Sequence, residues 1–385
     1  MFTKKSTRKA TAYRKFSITL FLVNTKKVYV AIAPKILLMV LETDEVDSFP
    51  KLLTFEERWN ELLDSSKEDG FFLSLPWLKN WWEVFGADYR LKCVTVREQG
   101  EVVGIAPLAI ATRGRFLHWR KLLFLGTGPS DRCGIVAKDD RQDIHQAVWD
   151  YLKEQEDWDV IELRDMVSLN PTFQNVQLAF PAAESISSKS PYIDVSCGYK
   201  PYLAELSKNM RYNLGRSRRK IEAAGGQFIT RKGNEECEEG IAMLKELSNA
   251  RWESANVLKL PKMMDFAEKI SKIRNEAGGT VFHSIDVHGK PIAIAMGFED
   301  KNRYMYYLSG FDPEYAKMSP GYVLISEIIH ENCQKGIKEV DMLRGTEDYK
   351  YRFNAVDRTQ ITMRVVNEGL MRGVEARLRE AKLTP

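Results

Sequence analysis

Residues 281–298 have the sequence VFHSIDVHGKPIAIAMGF, in which two apolar runs flank a short polar turn. Branched apolar residues occur in both runs, and such residues favour extended strands. The turn at 288–291 contains Gly289, and glycine adopts the positive φ that hairpin turns often need. The stretch therefore predicts two antiparallel strands in a largely buried sheet.

The same pattern occurs earlier in the chain, where residues 92–110 are KCVTVREQGEVVGIAPLAI. Aligning Gly100 with Gly289 also places Ile105-Ala106 opposite Ile294-Ala295. This repetition predicts a duplicated domain. A further strand, a helix and another strand follow in each half, so we expect an α/β (mixed α+β) fold with a mixed β-sheet flanked by helices in each half.

Three tryptophans recur at helical spacing in the segment 75–85, at Trp77, Trp81 and Trp82. Residues three or four apart share one face of a helix. We expect these rings to pack in a core, and stacking on a ligand is the alternative interpretation.

The composition is that of a globular protein, with 44% apolar and 29% charged residues in a chain of 385. This length exceeds one ordinary domain core and favours two domains. Nine Lys or Arg and no acidic residue precede Met39, so the remainder has 48 basic against 53 acidic residues, a formal charge of −5. A mildly acidic body does not indicate DNA binding.

Residues 1–40 form a basic extension that is apolar from Phe16 to Val40. Lysines interrupt this apolar run, so no uncharged stretch reaches the ~18 residues that a membrane-spanning helix needs. Two interpretations stay open: an upstream translated region with the native start at Met39, or a poorly ordered extension. We expect no integral membrane segment.

The five cysteines are widely spaced and form no CxxC pair. An odd number of scattered cysteines is typical of free thiols in a reducing compartment, so we expect a cytoplasmic protein. The five histidines are equally dispersed. The near neighbours His283 and His288 flank the predicted turn, and we expect no metal site.

Residues 201–224 form a predicted basic amphipathic helix. The apolar side chains fall on one stripe, which predicts a face packed on a core. Arg211 and Arg218, seven residues apart, share a flank on which their guanidinium groups could bind phosphate or carboxylate. A solvated basic face is the alternative. The apolar stripe consists of Leu203, Leu206, Met210, Leu214 and Ile221.

The segment 311–325, FDPEYAKMSPGYVLI, follows a predicted strand and contains Ser319-Pro320-Gly321. Proline is tolerated in the first turn of a helix, and glycine lets a ligand approach the backbone. The first amides of a helix are unpaired and lie at its positive end, which suits a pyrophosphate. An ordinary helix start is the alternative interpretation.

The segment 339–353, EVDMLRGTEDYKYRF, is an apolar strand followed by a polar loop. Functional sites of α/β sheets often form at strand ends. A salt-bridged structural turn would have a similar sequence, so both interpretations stay open. The charged and phenolic side chains that we select as candidates are Asp341, Arg344, Glu347, Tyr349 and Lys350.

The order and spacing of these features resemble the GNAT acyltransferases of the CelD-like family, which is named from cellulose biosynthesis and is related to the FemAB-type aminoacyl transferases. The resemblance extends from about Phe71 to Phe353. Its residues are Ser319-Pro-Gly321, Gly336, Asp341-Met-Leu-Arg-Gly345, Glu347, Tyr349-Lys350, Ile105-Ala-Pro-Leu108, Ser130-Asp131 and Leu206-Ser-Lys-Asn-Met-Arg-Tyr-Asn213.

The resemblance implies a tandem double GNAT fold. In it, 41–198 form a first GNAT-like domain on the acceptor side, and 199–385 form a second domain for donor binding and catalysis, entered by the helix 201–224. One departure is that the Gln/Arg-x-x-Gly-x-Gly/Ala loop of ordinary GNAT enzymes is absent.

The resemblance also implies roles for individual residues. Ser319, Pro320 and Gly321 would lie at the donor's pyrophosphate, and we add Tyr322 and Arg211 as donor-binding candidates. Lys350 would offset charge at the transferring group and Asp341 would orient or deprotonate the acceptor. Tyr349 is a candidate acid for the leaving thiolate, and the catalytic set is completed by Glu347 and Arg344.

The expected activity is transfer of an acyl group to an amine or hydroxyl of a sugar, polysaccharide or cell-envelope precursor. Acyl-CoA, as acetyl-CoA, would be the co-substrate, and we expect no tightly bound cofactor. Direct attack on a thioester needs no enzyme nucleophile, only proximity, a base and an oxyanion donor. Two alternatives stay open: FemAB-like aminoacyl transfer from charged tRNA, which the acidic body disfavours, and a non-catalytic module that binds a polysaccharide or partner protein.

Overall fold

The structure is a computed structural model in which residues 41–68, 70–113, 119–251, 261–275 and 278–367 are described. The basic extension 1–40 lies outside the described residues. The helices and strands of the first half are β1 (Leu41–Val46), α1 (Phe49–Leu53), α2 (Glu56–Ser65), α3 (Leu75–Phe85), β2 (Tyr89–Leu91), β3 (Cys93–Glu98), β4 (Glu101–Ala106), β5 (Leu108–Arg113), β6 (Trp119–Phe124), β7 (Val136–Ala137), α4 (Gln142–Lys153), β8 (Val160–Val167), α5 (Pro171–Ala179) and β9 (Glu184–Asp194).

The second half has a similar order of strands and helices. Its elements are α6 (Tyr199–Glu205), α7 (Lys208–Ala223), β10 (Gly226–Arg231), α8 (Asn234–Arg251), α9 (Pro261–Ile270), β11 (Arg274–Asn275), β12 (Gly278–Val287), β13 (Lys290–Asp300), β14 (Arg303–Phe311), α10 (Pro320–Gln334), β15 (Glu339–Asp341), α11 (Asp348–Arg352) and β16 (Val356–Val366).

The two predicted hairpins are confirmed, and their turns are built alike. In β3–β4 the turn residues Gln99 and Gly100 have φ of 52° and 89°, and in β12–β13 His288 and Gly289 have φ of 51° and 78°. Positive φ at both positions is the geometry of a two-residue turn that matches strand twist. Each hairpin also shifts register three to four residues before its glycine.

Most strands belong to one large mixed sheet. Its order is β10-β12-β13-β14-β15-β9-β16-β8-β6-β5-β2, with β11 paired to β12, and a second sheet has the order β1-β3-β4-β7. The parallel pairs are β6–β8 and β14–β15, and α4 and α10 lie in their crossovers. Sheets flanked by helices confirm the predicted mixed α/β class.

Two strands join the halves across the predicted boundary at 198/199. Strand β9 of the first half pairs with β15, and β16 returns from the end of the second half to pair with β9 and β8. The halves therefore share one sheet. The division into 41–198 and 199–385 stays a prediction.

The predicted helix 201–224 is wrong in its continuity. It is two helices, α6 and α7, because Leu206 is extended and Ser207 begins a new helix. The Ser207 side chain accepts a hydrogen bond from the Met210 N–H at 3.2 Å, which is an N-cap interaction. The packed face is confirmed, since Met210, Leu214 and Ile221 are buried.

The predicted core role of the tryptophans is confirmed for two of them. Trp77 and Trp81 are buried, and Trp82 packs half-buried against the same core. Their indole N–H groups are satisfied, because Trp77 donates to the Ser130 hydroxyl at 2.8 Å and Trp81 to the Thr127 carbonyl at 3.2 Å.

Three further observations concern the described ranges. No helix in them combines the length and apolarity needed to cross a bilayer. No cluster of three metal-ligating side chains occurs in them. All five cysteines are free thiols, of which Cys197 is exposed and Cys93, Cys133 and Cys237 are buried.

Candidate active site

A gap opens in the sheet where β14 and β15 separate. The two strands pair in parallel at three positions only, from Arg303↔Glu339 to Met305↔Asp341. Strand β14 continues to Phe311, whereas β15 ends at Asp341 and is followed by a loop. We call the gap between residues 306–311 and the loop 342–347 the wedge.

A β-bulge lies on the β14 wall of the wedge. The pairing with β13 shifts between Met296↔Leu308 and Gly297↔Tyr306, which leaves Tyr307 as the extra residue. A bulge turns backbone groups out of the ladder, and bulges are common beside active sites. The Tyr307 hydroxyl donates to the Pro129 carbonyl at 3.0 Å, and burial raises the pKa of this phenol.

The N-terminus of α10 lies beside the end of β14. A Cβ placed on Gly321 would lie 3.8 Å from the Phe311 ring, which is ordinary van der Waals contact, so a small side chain could be accommodated against that ring. Ser319 at the N-cap has φ of 50° and its side chain makes no capping bond. Pro320 is the first helical residue and no acidic residue occurs in the first turn. This helix end can accept an anion.

The other donor-binding candidates flank this helix end on two sides. Tyr322 stacks on Phe353 with ring centroids 5.9 Å apart. Arg211 lines a cleft of about 90 Å³ between α6, α7 and α10, to which Arg218 also contributes. Arg211 donates through Nη1 at 2.5 Å to the carbonyls of Ala204 in α6 and of Leu206, which follows α6, and Arg218 is ion-paired with Glu327.

Asp341 is fully buried at the end of β15. Its Oδ1 accepts the Leu343 N–H at 2.9 Å, and its Oδ2 contacts Arg132 and lies 3.1 Å from Arg358 Nη1. Arg303 Nη1 is 3.9 Å from the same oxygen. A general base needs a lone pair within reach of the acceptor's proton. This enclosure among guanidinium groups favours a role in holding the strand end.

Lys350 is also buried, and its ammonium group contacts four acceptors. Nζ lies 3.2, 2.6 and 3.2 Å from the carbonyls of Leu343, Arg344 and Gly345, and 2.8 Å from Glu347 Oε2. An ammonium group has three protons, so the loop itself engages all of them. Leu343 and Gly345 have φ of 58° and 110°, and Lys350 thus stabilises a loop in an uncommon conformation.

The remaining catalytic candidates point in different directions from this loop. Glu347 is more than half exposed and Tyr349 packs half-buried on the core beside α10. Arg344 reaches into the first half, where Nη1 lies 2.8 Å from Asp165 and Nη2 donates to the Gly128 carbonyl at 2.7 Å. Its Nε contacts Asp131.

The sequence reasoning missed three residues that the fold brings to the wedge. Tyr307 gave no signal, since its bulge exists only in the pairing of β13 with β14. Asp165 has φ of 60°, which no motif predicts. Asp131 was noticed within Ser130-Asp131, but its partner Arg344 is 213 residues away.

Comparisons with known proteins agree with this geometry. Residues 208–351 match the family model described as acetyltransferase (GNAT) domain. The chain therefore contains a GNAT-type acyltransferase domain. This range includes β14, α10, β15 and most of α11, so the wedge lies within the matched part. No curated protein matches the chain.

The fold is also similar to several solved structures. The FemX crystal structure has a TM-score of 0.60 and 10% identity, over 86% of this chain and 100% of that one. The C-terminal domain (DUF2156) of a putative lysylphosphatidylglycerol synthetase from Agrobacterium fabrum has a TM-score of 0.50 and 11% identity, over 82% and 96%. The L-PGS of Bacillus licheniformis has a TM-score of 0.50 and 11% identity, over 80% and 90%. These identities indicate a shared fold only.

Proposed function

We propose that the protein transfers an acyl group from an activated donor bound in the wedge to an amine or hydroxyl of an acceptor. One observation carries the proposal: the β14 bulge at Tyr307, the open edge of β14 and the free N-terminus of α10 are adjacent. An anionic donor at α10 would extend its acyl arm along β14 toward the bulge.

The donor's phosphate groups would contact the backbone at Ser319, Pro320 and Gly321. Tyr322 and Arg211 would flank the donor beside this helix end. The positive end of a helix favours an anion at this position. Among these residues Gly321 would supply the amide, because Pro320 has no N–H and the Ser319 N–H donates to the Ala316 carbonyl at 3.0 Å. Since α10 has no acidic residue in its first turn, no carboxylate of that turn opposes the donor's charge.

Catalysis would follow from orientation and from backbone dipoles. A backbone N–H at the Tyr307 bulge would donate to the acyl oxygen as negative charge develops there. The acceptor's nitrogen or oxygen attacks the acyl carbon and the bond to the leaving thiolate breaks. Tyr349 would protonate that thiolate, and the proton that the acceptor loses would return to the Tyr349 phenolate through solvent, so that the products are the acylated acceptor and the free thiol. Lys350 and Asp341 would act by fixing the wall opposite the bulge.

The finer parts of the proposal come from the family resemblance. The resemblance to the CelD-like family favours a sugar, polysaccharide or envelope precursor as acceptor, and we take acetyl-CoA as the donor. The first half packs on the face of β14 that carries Tyr307, because that side chain bonds to Pro129. We therefore place the acceptor on this face and the donor on the face of α10.

Calorimetric titration of the full chain with acetyl-CoA tests the donor site. We expect binding by the unmodified protein and none by Gly321→Trp, because a bulky indole beside Phe311 would occupy the position proposed for the donor's phosphates. Gln334→Trp, on an exposed position at the other end of α10, is the matched control and should bind as the unmodified protein does. Equal binding by all three proteins would place the donor elsewhere.

Aminoacyl transfer from charged tRNA is a second candidate. It is favoured by the similarity in fold to FemX and to the C-terminal domain of a putative lysylphosphatidylglycerol synthetase. A second observation favours it, because the exposed face of α7 carries Lys208, Arg216, Arg219 and Lys220. Such a face could contact phosphates. A gel shift with tRNA at low salt tests this candidate, and absence of a complex would exclude it.

A further inference from the structure

The first half contacts both walls of the wedge through one short segment, residues 128–132, which we call the strap. The Gly128 carbonyl accepts a hydrogen bond from Arg344 Nη2 at 2.7 Å, on the loop wall. The next carbonyl, that of Pro129, accepts one from the Tyr307 hydroxyl at 3.0 Å, on the bulge wall. Adjacent peptide groups of one half thus hold two sides of a gap in the other.

Side chains of the first half strengthen the hold on the loop wall. Arg344 Nε contacts Asp131 and Nη1 lies 2.8 Å from Asp165 Oδ2, so one guanidinium engages two carboxylates and a carbonyl. Hydrogen bonds to charged groups are the strong ones, and the planar fork of arginine orients them. The direction of the Arg344 side chain is therefore fixed by the first half.

Hydrogen bonds from two other segments hold the strap in place. Ser130 is fully buried and accepts the Trp77 indole N–H, and Gln360 Nε2 donates to the Asp131 carbonyl at 2.5 Å. Trp77 lies in the main core and Gln360 on β16, so the strap is anchored on both sides. A segment anchored in this way can define the spacing between the Tyr307 bulge and the loop 342–347.

Arg344 contacts two buried carboxylates, those of Asp131 and Asp165, although one would balance its charge. A single carboxylate would neutralise Arg344, and a second buried one carries a desolvation penalty. Burial raises the pKa of Asp165 and the charge of Asp131 adds to this, against the opposing effect of Arg344. Groups kept at such a cost are often those that hold a functional geometry.

We infer that Asp131 and Asp165 are positioning residues of the wedge, which act through Arg344 to hold the loop 342–347 opposite the Tyr307 bulge. The inference rests on the proposed acyl transfer at this wedge. The first half would therefore help to shape the proposed active site of the second half, in addition to any contact that it makes with the acceptor.

The experiment compares Asp165→Asn, Arg344→Lys and the double variant in the full chain. Thiol release from acetyl-CoA is followed with glucosamine as the amine probe. We expect each single variant to lower kcat by about 10-fold to 100-fold with KM for acetyl-CoA unchanged, since a small misplacement of reacting groups has such effects. The double variant should be no slower than Arg344→Lys, because both changes break the same link.

A matched control is Asp159→Asn, which removes a carboxylate that Arg120 contacts at 2.8 Å, away from the wedge. It should leave kcat unchanged. Losses in the double variant that equal the product of the single losses would overturn the inference, because Asp165 would then act independently of Arg344. Unchanged kcat in both single variants would also overturn it.

Amide hydrogen exchange supplies a readout that does not depend on turnover. We expect Asp165→Asn to speed exchange in peptides covering 342–347, with no change for Asp159→Asn. If the unmodified protein releases no thiol, the proposed function fails, but the exchange measurement still tests the positioning role of Asp165. Unchanged exchange in 342–347 would overturn that role. If Asp165→Asn does not fold, Asp131→Asn takes its place in both measurements.

Discussion

The two halves contain the same parallel strand pair with a helical crossover, but the segments that follow the first strand of each pair differ. Strands β6 and β8 pair at two positions and β14 and β15 at three, and both pairs then separate. After β6 the chain folds back as the loop 126–131, in which Ser130 is buried. After β14 it leads away to the start of α10. The first gap is therefore followed by a loop of its own half, whereas the second is bridged by the strap and leads to the start of α10.

The two crossover helices, α4 and α10, differ in the charges at their N-termini. The first turn of α4 contains Asp143, and its N-cap residue Arg141 is bonded to Glu98 by two contacts of 2.8 Å. The Arg141 hydrogen bonds lower the pKa of Glu98, so a negative charge stays beside this helix end. The first turn of α10 has no acidic residue. A helix end that already has carboxylates is poorly suited to a second anion. One half can thus keep the fold without the proposed donor site.

Removing the lysine that holds the loop wall would have the largest effect. We expect Lys350→Met to lower acyl transfer about 100-fold and the free energy of unfolding by about 3 kcal/mol, because three carbonyls and Glu347 lose a buried partner. Lys335→Met is the control, since Lys335 pairs with Glu299 and Glu331 outside the wedge. Kinetics and urea unfolding check both, and transfer at the unmodified rate in Lys350→Met would show that the loop wall is not needed.

A buried histidine makes the acid stability of the first half differ from that of the second. Burial lowers the pKa of His145 to about 4, from 6.5, and neither ring nitrogen has a hydrogen-bond partner among the described residues. The folded protein favours the neutral imidazole, whereas the unfolded chain binds a proton below about pH 6.5. The free energy of unfolding is therefore highest above pH 6.5 and decreases as the pH falls toward 4. We expect about 3 kcal/mol over this interval.

Urea unfolding of His145→Leu between pH 7 and 4 checks this contribution, and the variant should lose less stability than the unmodified protein. The comparison is His283→Leu in the second half, where Nε2 lies 3.7 Å from Glu331 Oε2 and Nδ1 lies 3.2 Å from the Tyr304 hydroxyl. Because a carboxylate lies near His283, its change should be smaller. Parallel pH curves for His145→Leu and the unmodified protein would contradict the expectation.

Giving α10 the acidic start of α4 tests the comparison directly. We expect Ser319→Asp to weaken acetyl-CoA binding about tenfold, or about 1.4 kcal/mol, because a carboxylate at the helix start repels the donor's phosphates. Asp tolerates the left-handed backbone of this position better than most residues. Gln334→Asp has the same charge change at the far end of α10 and should bind normally in calorimetry. Equal affinity of the two variants would contradict a donor phosphate at this helix end.

The smallest effect should be equal in the two halves. Gly100→Ala and Gly289→Ala should each lower stability by about 1 kcal/mol, since a side chain is strained at positive φ. No atom lies within 4 Å of a Cβ at either position, so backbone strain alone would act. Thermal unfolding measures both, with Gly215→Ala inside α7 as a control that should stabilise. Unequal losses would show that the two hairpins differ in support.

Local chemistry explains which predictions were confirmed. The hairpins depend on a glycine with positive φ between branched apolar runs, and both signals are contiguous in sequence. The tryptophans at 77 and 81 share a helix face, so their burial follows from spacing. The start of α10 was likewise predictable, because Pro320 occupies the first helical position. The break at Ser207 was predictable too, since a serine N-cap precedes α7, but the continuous apolar stripe concealed it.

The candidate loop was found for its residue types, but their geometry could not be derived from them. Asp341 and Lys350 were selected as groups that meet substrate, and the fold instead encloses one among arginines and the other among the carbonyls of its own loop. Arg132, Asp131 and Asp165 come from the other half of the chain. No local pattern predicts which distant charge a side chain will meet.

The sequence by itself determined the two α/β halves, their hairpins and the helix start suited to an anion, because strand periodicity, glycine turns and helix caps act over a few residues. Only the tertiary structure decided that the strap of the first half bridges the wedge of the second, and that β9 and β16 join the halves into one sheet. Those outcomes depend on packing and on ion pairs between residues about 200 positions apart, which compete only once the chain is folded.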